Sequence, residues 1–362
     1  MPSFCLRTIV VLALLVPALA LTSAVGGPAV IYLTAVIALF ALGYNAVRRR
    51  EPFEFHEMRA MTIALTAPAI AMLISSLYLG IWSSSEIEKL LRFALAVPVC
   101  WVLLRAPRNW LQQVQWSMLF GAYAGGIMLL VIMLTPELGR GAVSDFGGRY
   151  NAVAFADLTM FFGLASCLML PWKLSPWPRV EAALKILAVP LTIYGVWLSQ
   201  TRSSWVLLLV FGFVYLVTKR QWSLRVKASF VAAMVALLAV VAVVSWNSTE
   251  SRWRGVVTDV TSYAKDDRDT SVGIRIQLWN ASWLMFKESP IVGVGGASFR
   301  SELAKMEEKG IVTKLVSTDY GEPHNDMLGA LAGYGALGLL SMLALYLIPA
   351  VVFWRRSRSN DP

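Results

Sequence analysis

Three widely separated residues, Arg202, Arg275 and His324, carry the side chains best suited to phosphate binding and proton transfer in this sequence. Arg202 lies in Ser199-Gln200-Thr201-Arg202-Ser203-Ser204-Trp205, between two apolar stretches. A guanidinium there costs free energy unless it is paired or hydrated. It either snorkels to a lipid phosphate or sits in a cavity among hydroxyls, Ser203 included, and forks onto the oxygens of a bound phosphate. Arg275 falls in Ser271-Val272-Gly273-Ile274-Arg275, after which Leu278, Trp279, Trp283 and Phe286 recur at helical spacing up to Pro290. That spacing predicts an amphipathic helix that lies in a membrane interface or caps a helical bundle. A cation in its first turn stands at the unfavourable end of the helix dipole, so Arg275 needs an anionic partner, either an ordinary acid or a ligand.

His324 stands in Glu322-Pro323-His324-Asn325-Asp326, just before a long apolar run. Pro323 suits the first turn of a helix, so the imidazole is expected at a helix N-terminus, where the dipole favours its neutral form. A neutral imidazole can accept a proton near neutral pH, as a general base must. An interfacial hydrogen-bonding role is the simpler alternative for a histidine standing alone. The other histidine, His56, reads as solvated in a loop.

Metal chemistry finds little support. Asp267-Arg268-Asp269 offers paired carboxylates for a divalent cation, yet charges alternate from Lys265 to Asp269 as in a solvated loop. Cys5, Cys100 and Cys167 sit in or beside apolar segments without ligand spacing, which disfavours a disulfide framework or a zinc site. No metal or organic cofactor is expected. Gly293-Val294-Gly295-Gly296 either brings backbone close to a ligand or forms a turn. Arg140, Asp145, Arg149 and Tyr150 could add to a binding surface, but their spacing specifies nothing.

The elements that must position these residues are set by composition. Of 362 residues, 57% are hydrophobic and 15% charged, with a mean hydropathy of +0.62. Such a chain is a polytopic membrane protein rather than a soluble domain, and in lipid its spans must be helices. Ten apolar segments are long enough to be spans, at about 8–25, 28–47, 61–82, 89–104, 114–134, 153–171, 184–200, 204–218, 228–246 and 326–353. The fourth and eighth are short. Residues 1–25 alternatively form a signal peptide, although the next apolar segment follows after only two glycines.

Orientation follows from the loops. Alternate connections carry Arg48-Arg49-Arg50 with Arg59, Arg105 with Arg108, Lys173 to Lys185, Lys219 to Lys227, and Arg355 to Arg358. These basic loops are cytoplasmic by the positive-inside rule, and the net charge of +10 therefore requires no nucleic acid partner. The connections at 26–27, 83–89 and 135–151, the Gln200 turn beside Arg202, and the stretch from about 247 to 323 with Arg275 then face outward, with His324 at the outer mouth of the last span. The expected organisation is a transmembrane bundle over 1–246, a large outer loop over 247–323 and a final span with a tail over 324–362.

Three patches occur in fixed order: Thr201-Arg202-Ser203-Ser204-Trp205, the run from Arg275 through Trp279 to Gly293-Val294-Gly295 and Phe299, and Pro323-His324-Asn325. Together they resemble the O-antigen ligase family, which includes related polymerases and protein O-oligosaccharyltransferases. The resemblance covers mainly residues 195–345. It implies an all-α membrane bundle of about 10–12 spans, of the membrane-embedded glycosyltransferase type, with a large periplasmic loop containing amphipathic helices. It also implies metal-independent inverting transfer of a glycan from undecaprenyl diphosphate to a hydroxyl of lipid A-core, at the periplasmic face of a bacterial inner membrane. By position, Arg202 and Arg275 would bind the carrier diphosphate and His324 would activate the acceptor, with Ser203, Trp279 and Asn325 binding substrate beside them. An O-antigen polymerase using the same donor is the alternative within the family. A lipid or glycan transporter is the alternative outside it, but ionisable residues within the spans are sparse, Asp157 being the main one.

Overall fold

A computed structural model describes residues 3–48, 55–146, 150–201, 203–218, 221–247 and 268–356. Among these the secondary structure is entirely helical. In chain order the helices are α1 (Ser3–Thr22), α2 (Gly26–Val47), α3 (Phe55–Leu79), α4 (Ser84–Leu103), α5 (Arg108–Leu111), α6 (Val114–Leu134), α7 (Val143–Phe146) and α8 (Ala152–Leu168). They continue with α9 (Pro178–Leu198), α10 (Ser204–Thr218), α11 (Leu224–Asn247), α12 (Ser271–Glu288), α13 (Phe299–Glu308), α14 (Lys314–Asp319) and α15 (Asp326–Arg356). Each of the ten apolar segments is a helix, and six helices are long and apolar enough to cross a membrane. The chain is a multi-pass membrane protein. The segment expected at 89–104 begins earlier, because Ser84 to Glu88 adds a charged first turn, while α8 and α10 are short at 17 and 15 residues.

Contacts divide the chain into two compact units, Met1–Glu51 with Pro98–Ser248, and Pro52–Val97 with Thr249–Pro362. In the first, α6 packs between α1, α8 and α9. Its buried Gly121 and Gly125, one turn apart, let Phe162 and Thr159 of α8 approach its backbone. Without a hydrophobic driving force between helices in lipid, such small residues allow the close van der Waals packing that holds the bundle. A core of Leu119, Leu129, Phe155, Met160 and Val196 fills the centre.

The same unit corrects one charge assignment. Lys185 belongs to α9 and is buried rather than lying in a basic loop. Its ammonium donates to Glu181 Oε1 and to the carbonyls of Met169 and Trp172, each at 2.7 Å, so all three of its protons are used. Glu181 also accepts from Gln115 and from the backbone N–H groups of Leu174 and Ser175. This closed network ties the turn after α8 to α9.

In the second unit, α3 packs along α15, and α12 to α14 build a small apolar core from Leu278, Met285, Phe299, Leu303 and Val316. Helix α12 covers the expected Ser271 to Pro290 stretch. Ile274, Leu278, Ala281 and Met285 face that core, and Trp279 and Trp283 stand at its exposed edge. The helix therefore caps a packed layer with one stripe and leaves two indoles outside, as amphipathic side chains at an interface do.

Helix α15 is not one straight span. Asp326 and Tyr346 would stand about 30 Å apart in a regular helix, given 1.5 Å per residue. Instead the Tyr346 hydroxyl donates to Asp326 Oδ2 at 3.0 Å. The chain reverses at Gly335, whose φ of 63° and ψ of −152° are essentially restricted to glycine. The arm 326–334 thus folds back on the arm 336–356, and Ala330, Met342 and Leu345 pack between them.

Such a reversal exposes backbone groups that lipid cannot satisfy. The stretch 290–295 satisfies them. Val294 and Gly295 donate to the carbonyls of Ala332 and Gly333, and the N–H groups of Ala336 and Leu337 donate to Pro290 and Ile291. Gly293 is pressed so closely on this crossing that a Cβ would overlap the backbone of Gly333 and Tyr334. The sequence left the glycine cluster open between a ligand contact and a turn; its observed role is to lace the two arms together.

Candidate functional site

His324 is held in left-handed backbone, with φ 51°. Among the described residues it shares positive φ with only one other non-glycine residue, Gln200, which stands two positions before Arg202. Histidine tolerates this region better than most residues, but a site that keeps it costs of order 1 kcal/mol or more. Pro323 does not open the helix as expected. Asn325 is the N-cap, its Oδ1 accepting from Met327 and Leu328 N–H at 3.1 and 3.2 Å, and α15 begins at Asp326. The imidazole therefore stands just outside the helix N-terminus, on a short strained pedestal.

Neighbours fix that pedestal. The Trp279 indole Nε1 donates to the Pro323 carbonyl at 3.2 Å, and the Tyr320 ring meets the His324 ring edge-to-face at 5.6 Å between centroids. Glu322 Oε1 lies 3.7 Å from His324 Nδ1, beyond hydrogen-bonding range. His324 remains about half exposed. It lines a cleft of about 500 Å³, together with Glu322, Asn325, Asp326, Glu86 and Tyr334. Residues 83–89 and 322–326, both assigned to the outer face by loop charges, therefore meet in one cavity.

Arg275 lies one helical turn before Trp279, on the same face of α12, so their Cβ atoms are about 5–6 Å apart. It is exposed and, among the described residues, neither a hydrogen bond nor an ion pair engages it. The ordinary acid partner that would explain a cation in the first turn is absent there. Arg275, Trp279, His324 and Asn325 thus belong to one unit.

Ser203 belongs to the other unit, where the stretch before α10 is tightly specified. The Ser203 and Ser204 hydroxyls donate to Asp157 at 3.3 and 2.5 Å, and Arg140 Nη2 donates to Thr201 Oγ1 at 3.3 Å. Thr201 and Ser199 hydroxyls are also bonded, at 2.9 Å. Asp157 is thereby the hydroxyl anchor of this turn, and Arg140 takes part in it; spacing alone had assigned neither. Arg202 itself lies outside the described residues, as do Arg149 and Asp267. Glu86 and Tyr334 also escaped the sequence reading, since residues 248 positions apart leave no local signal of their contact. Among the described residues, no group of three or more metal-ligating side chains occurs.

Residues 187–343 match the O-antigen ligase family model, a stretch that holds the 199–205 turn, α12 and most of the residues that line the His324 cleft. The resemblance read from the three patches is borne out there. Two curated proteins are similar over about half of this chain. An uncharacterised protein from Haemophilus influenzae is 25% identical over 176 residues, covering 48% of this chain and 44% of that protein. An O-antigen ligase from Escherichia coli is 23% identical over 206 residues, covering 55% and 47%. The matched part spans less than half the length of either relative.

Proposed function

We propose that this protein is an O-antigen ligase, transferring a glycan from undecaprenyl diphosphate to a hydroxyl of lipid A-core at the periplasmic face of the inner membrane. The observation that carries this reading is His324, held half exposed in the wall of a cleft, with Arg275, which no hydrogen bond or ion pair engages among the described residues, one turn from the indole that secures it. The family match and the apolar helices support the same class of activity.

The chemistry follows from these groups. With Nδ1 beside Glu322, Nε2 is the nitrogen left to take the proton of an acceptor hydroxyl. The oxygen attacks the anomeric carbon, the bond from that carbon to the phosphate oxygen breaks, and the diphosphate leaves with the electron pair. Anomeric configuration is inverted by the single displacement. Negative charge grows on the leaving diphosphate, so Arg275, and Arg202 from the other patch, stabilise the transition state more than the ground state. Glu322 steadies the imidazolium until its proton passes to water. The donor is already activated, so neither nucleotide nor metal enters the scheme.

A reconstituted assay with carrier-linked glycan tests this, offering lipid A-core and a carrier-linked acceptor separately. His324→Ala should insert and fold yet lose about 10²–10⁴-fold in transfer. His324→Asn should do the same, because asparagine also tolerates left-handed backbone. Full activity in either variant would remove the assigned base. Extension of the carrier-linked acceptor alone would make the protein a polymerase, and movement of glycan without covalent transfer would make it a transporter.

A further inference from the structure

Besides His324, the same cleft carries a second polar centre that the transfer scheme does not use. Glu86, in the first turn of α4, accepts from the Tyr334 hydroxyl at 2.7 Å through Oε2 and from Lys89 at 3.0 Å through Oε1. Tyr334 ends the arm 326–334, immediately before the reversal at Gly335. Both side chains occupy the space that a side chain at residue 296 would need, since a Cβ on Gly296 would meet the Tyr334 hydroxyl and lie 2.8 Å from Glu86 Oε2. Three distant segments therefore converge to hold one carboxylate.

If that carboxylate served only to staple α4 to α15, burial would suit it best. Glu86 instead keeps 21% of its side chain exposed, and it lines the cleft. Each carboxylate oxygen accepts up to two hydrogen bonds, so one protein donor apiece leaves capacity for two more. Lys89 already supplies the neighbouring positive charge, which suits the spare capacity to neutral donors. Phe93 and Tyr346, both partly exposed, line the same cleft and offer apolar ring surface beside the polar group. A fixed carboxylate flanked by aromatic rings is a combination that fits a molecule with adjacent hydroxyls on one side and C–H faces on the other.

We propose that Glu86, oriented by Tyr334, is a saccharide-binding subsite that takes hydroxyls of the acceptor sugar and turns the reacting hydroxyl toward His324. This deepens the ligase reading and rests on it for the identity of the acceptor. The subsite, however, makes a prediction about binding that needs no chemistry.

The test uses the full-length protein in lipid nanodiscs and two probes, lipid A-core and the core oligosaccharide freed of lipid. Binding is measured without donor, and kcat and KM are measured with donor. Glu86→Gln should weaken binding of both probes and raise the acceptor KM about tenfold, the scale of one charge-assisted hydrogen bond. The donor KM should stay within about twofold. Tyr334→Phe should move the acceptor KM the same way by about threefold, because the carboxylate remains but loses its guide. A rise confined to the donor KM, or a fall in kcat and thermal stability with acceptor binding unchanged, would overturn the subsite and leave a staple. Wild-type binding of the oligosaccharide that needs Glu86, without any transfer, would sustain the subsite while removing the ligase reading.

Discussion

The indole N–H of Trp279 reaches the carbonyl of Pro323 across 44 residues, so one turn of α12 sets where the His324 backbone can stand. Arg275 is fixed to the same helix. The backbone that carries the His324 imidazole is therefore tied to the helix that carries the Arg275 guanidinium.

Trp279→Phe retains most of the apolar surface but removes that hydrogen bond. Transfer should fall by about tenfold through kcat, in line with misplacement of a catalytic group by a fraction of a bond length. Expression and melting temperature should remain near wild type. Kinetics at saturating donor and acceptor check the outcome, and an unchanged kcat would show that the pedestal does not depend on the indole.

Arg275→Lys keeps the charge and loses the planar fork. A point charge cannot hold two phosphate oxygens at once, so activity should drop by about 10²-fold, most of it in kcat. Lysine matching arginine in the transfer assay would mean that Arg275 acts only through long-range attraction.

Gly335→Ala places a side chain where φ is 63° and where a Cβ overlaps the Ile291 backbone. The substitution should cost more than about 2 kcal/mol and lower the melting temperature by several degrees, with activity lost in parallel. A thermal-shift measurement in detergent reads this directly, and a wild-type melting curve would argue against the reversal of α15.

Lys185→Met leaves the Glu181 carboxylate buried without its ammonium, which should destabilise the first unit by roughly 3–5 kcal/mol. Replacing both, as Glu181→Leu with Lys185→Met, should recover part of that loss. Recovery should be incomplete, because the N–H groups of Leu174 and Ser175 would lose their acceptor. Denaturation midpoints of the single and double variants give the comparison.

Spans were legible in the sequence because an apolar stretch of about 20 residues has few other uses. Helix α12 was legible because Leu278 and its neighbours repeat at helical period, and the pairing of Arg202, Arg275 and His324 as candidates came from their residue types and order. The reversal at Gly335 was not, since residues 326–353 read as one apolar span and a glycine inside it is unremarkable in a membrane helix. Lys185 was misassigned because counting positive charges in loops presumes that each is hydrated, whereas three acceptors brought together by folding hold this one in the interior. The Glu86 contact with Tyr334 depends wholly on tertiary structure.

The four main-chain bonds that lace 290–295 onto α15 involve no side chains beyond the room that glycine leaves. Side chains at 291, 292 and 294 can therefore change without touching these bonds, whereas Gly293 and Gly335 cannot gain a Cβ. Count is less forgiving: a single-residue insertion or deletion between 291 and 294, or between 333 and 336, would leave the two pairs of bonds out of step with each other.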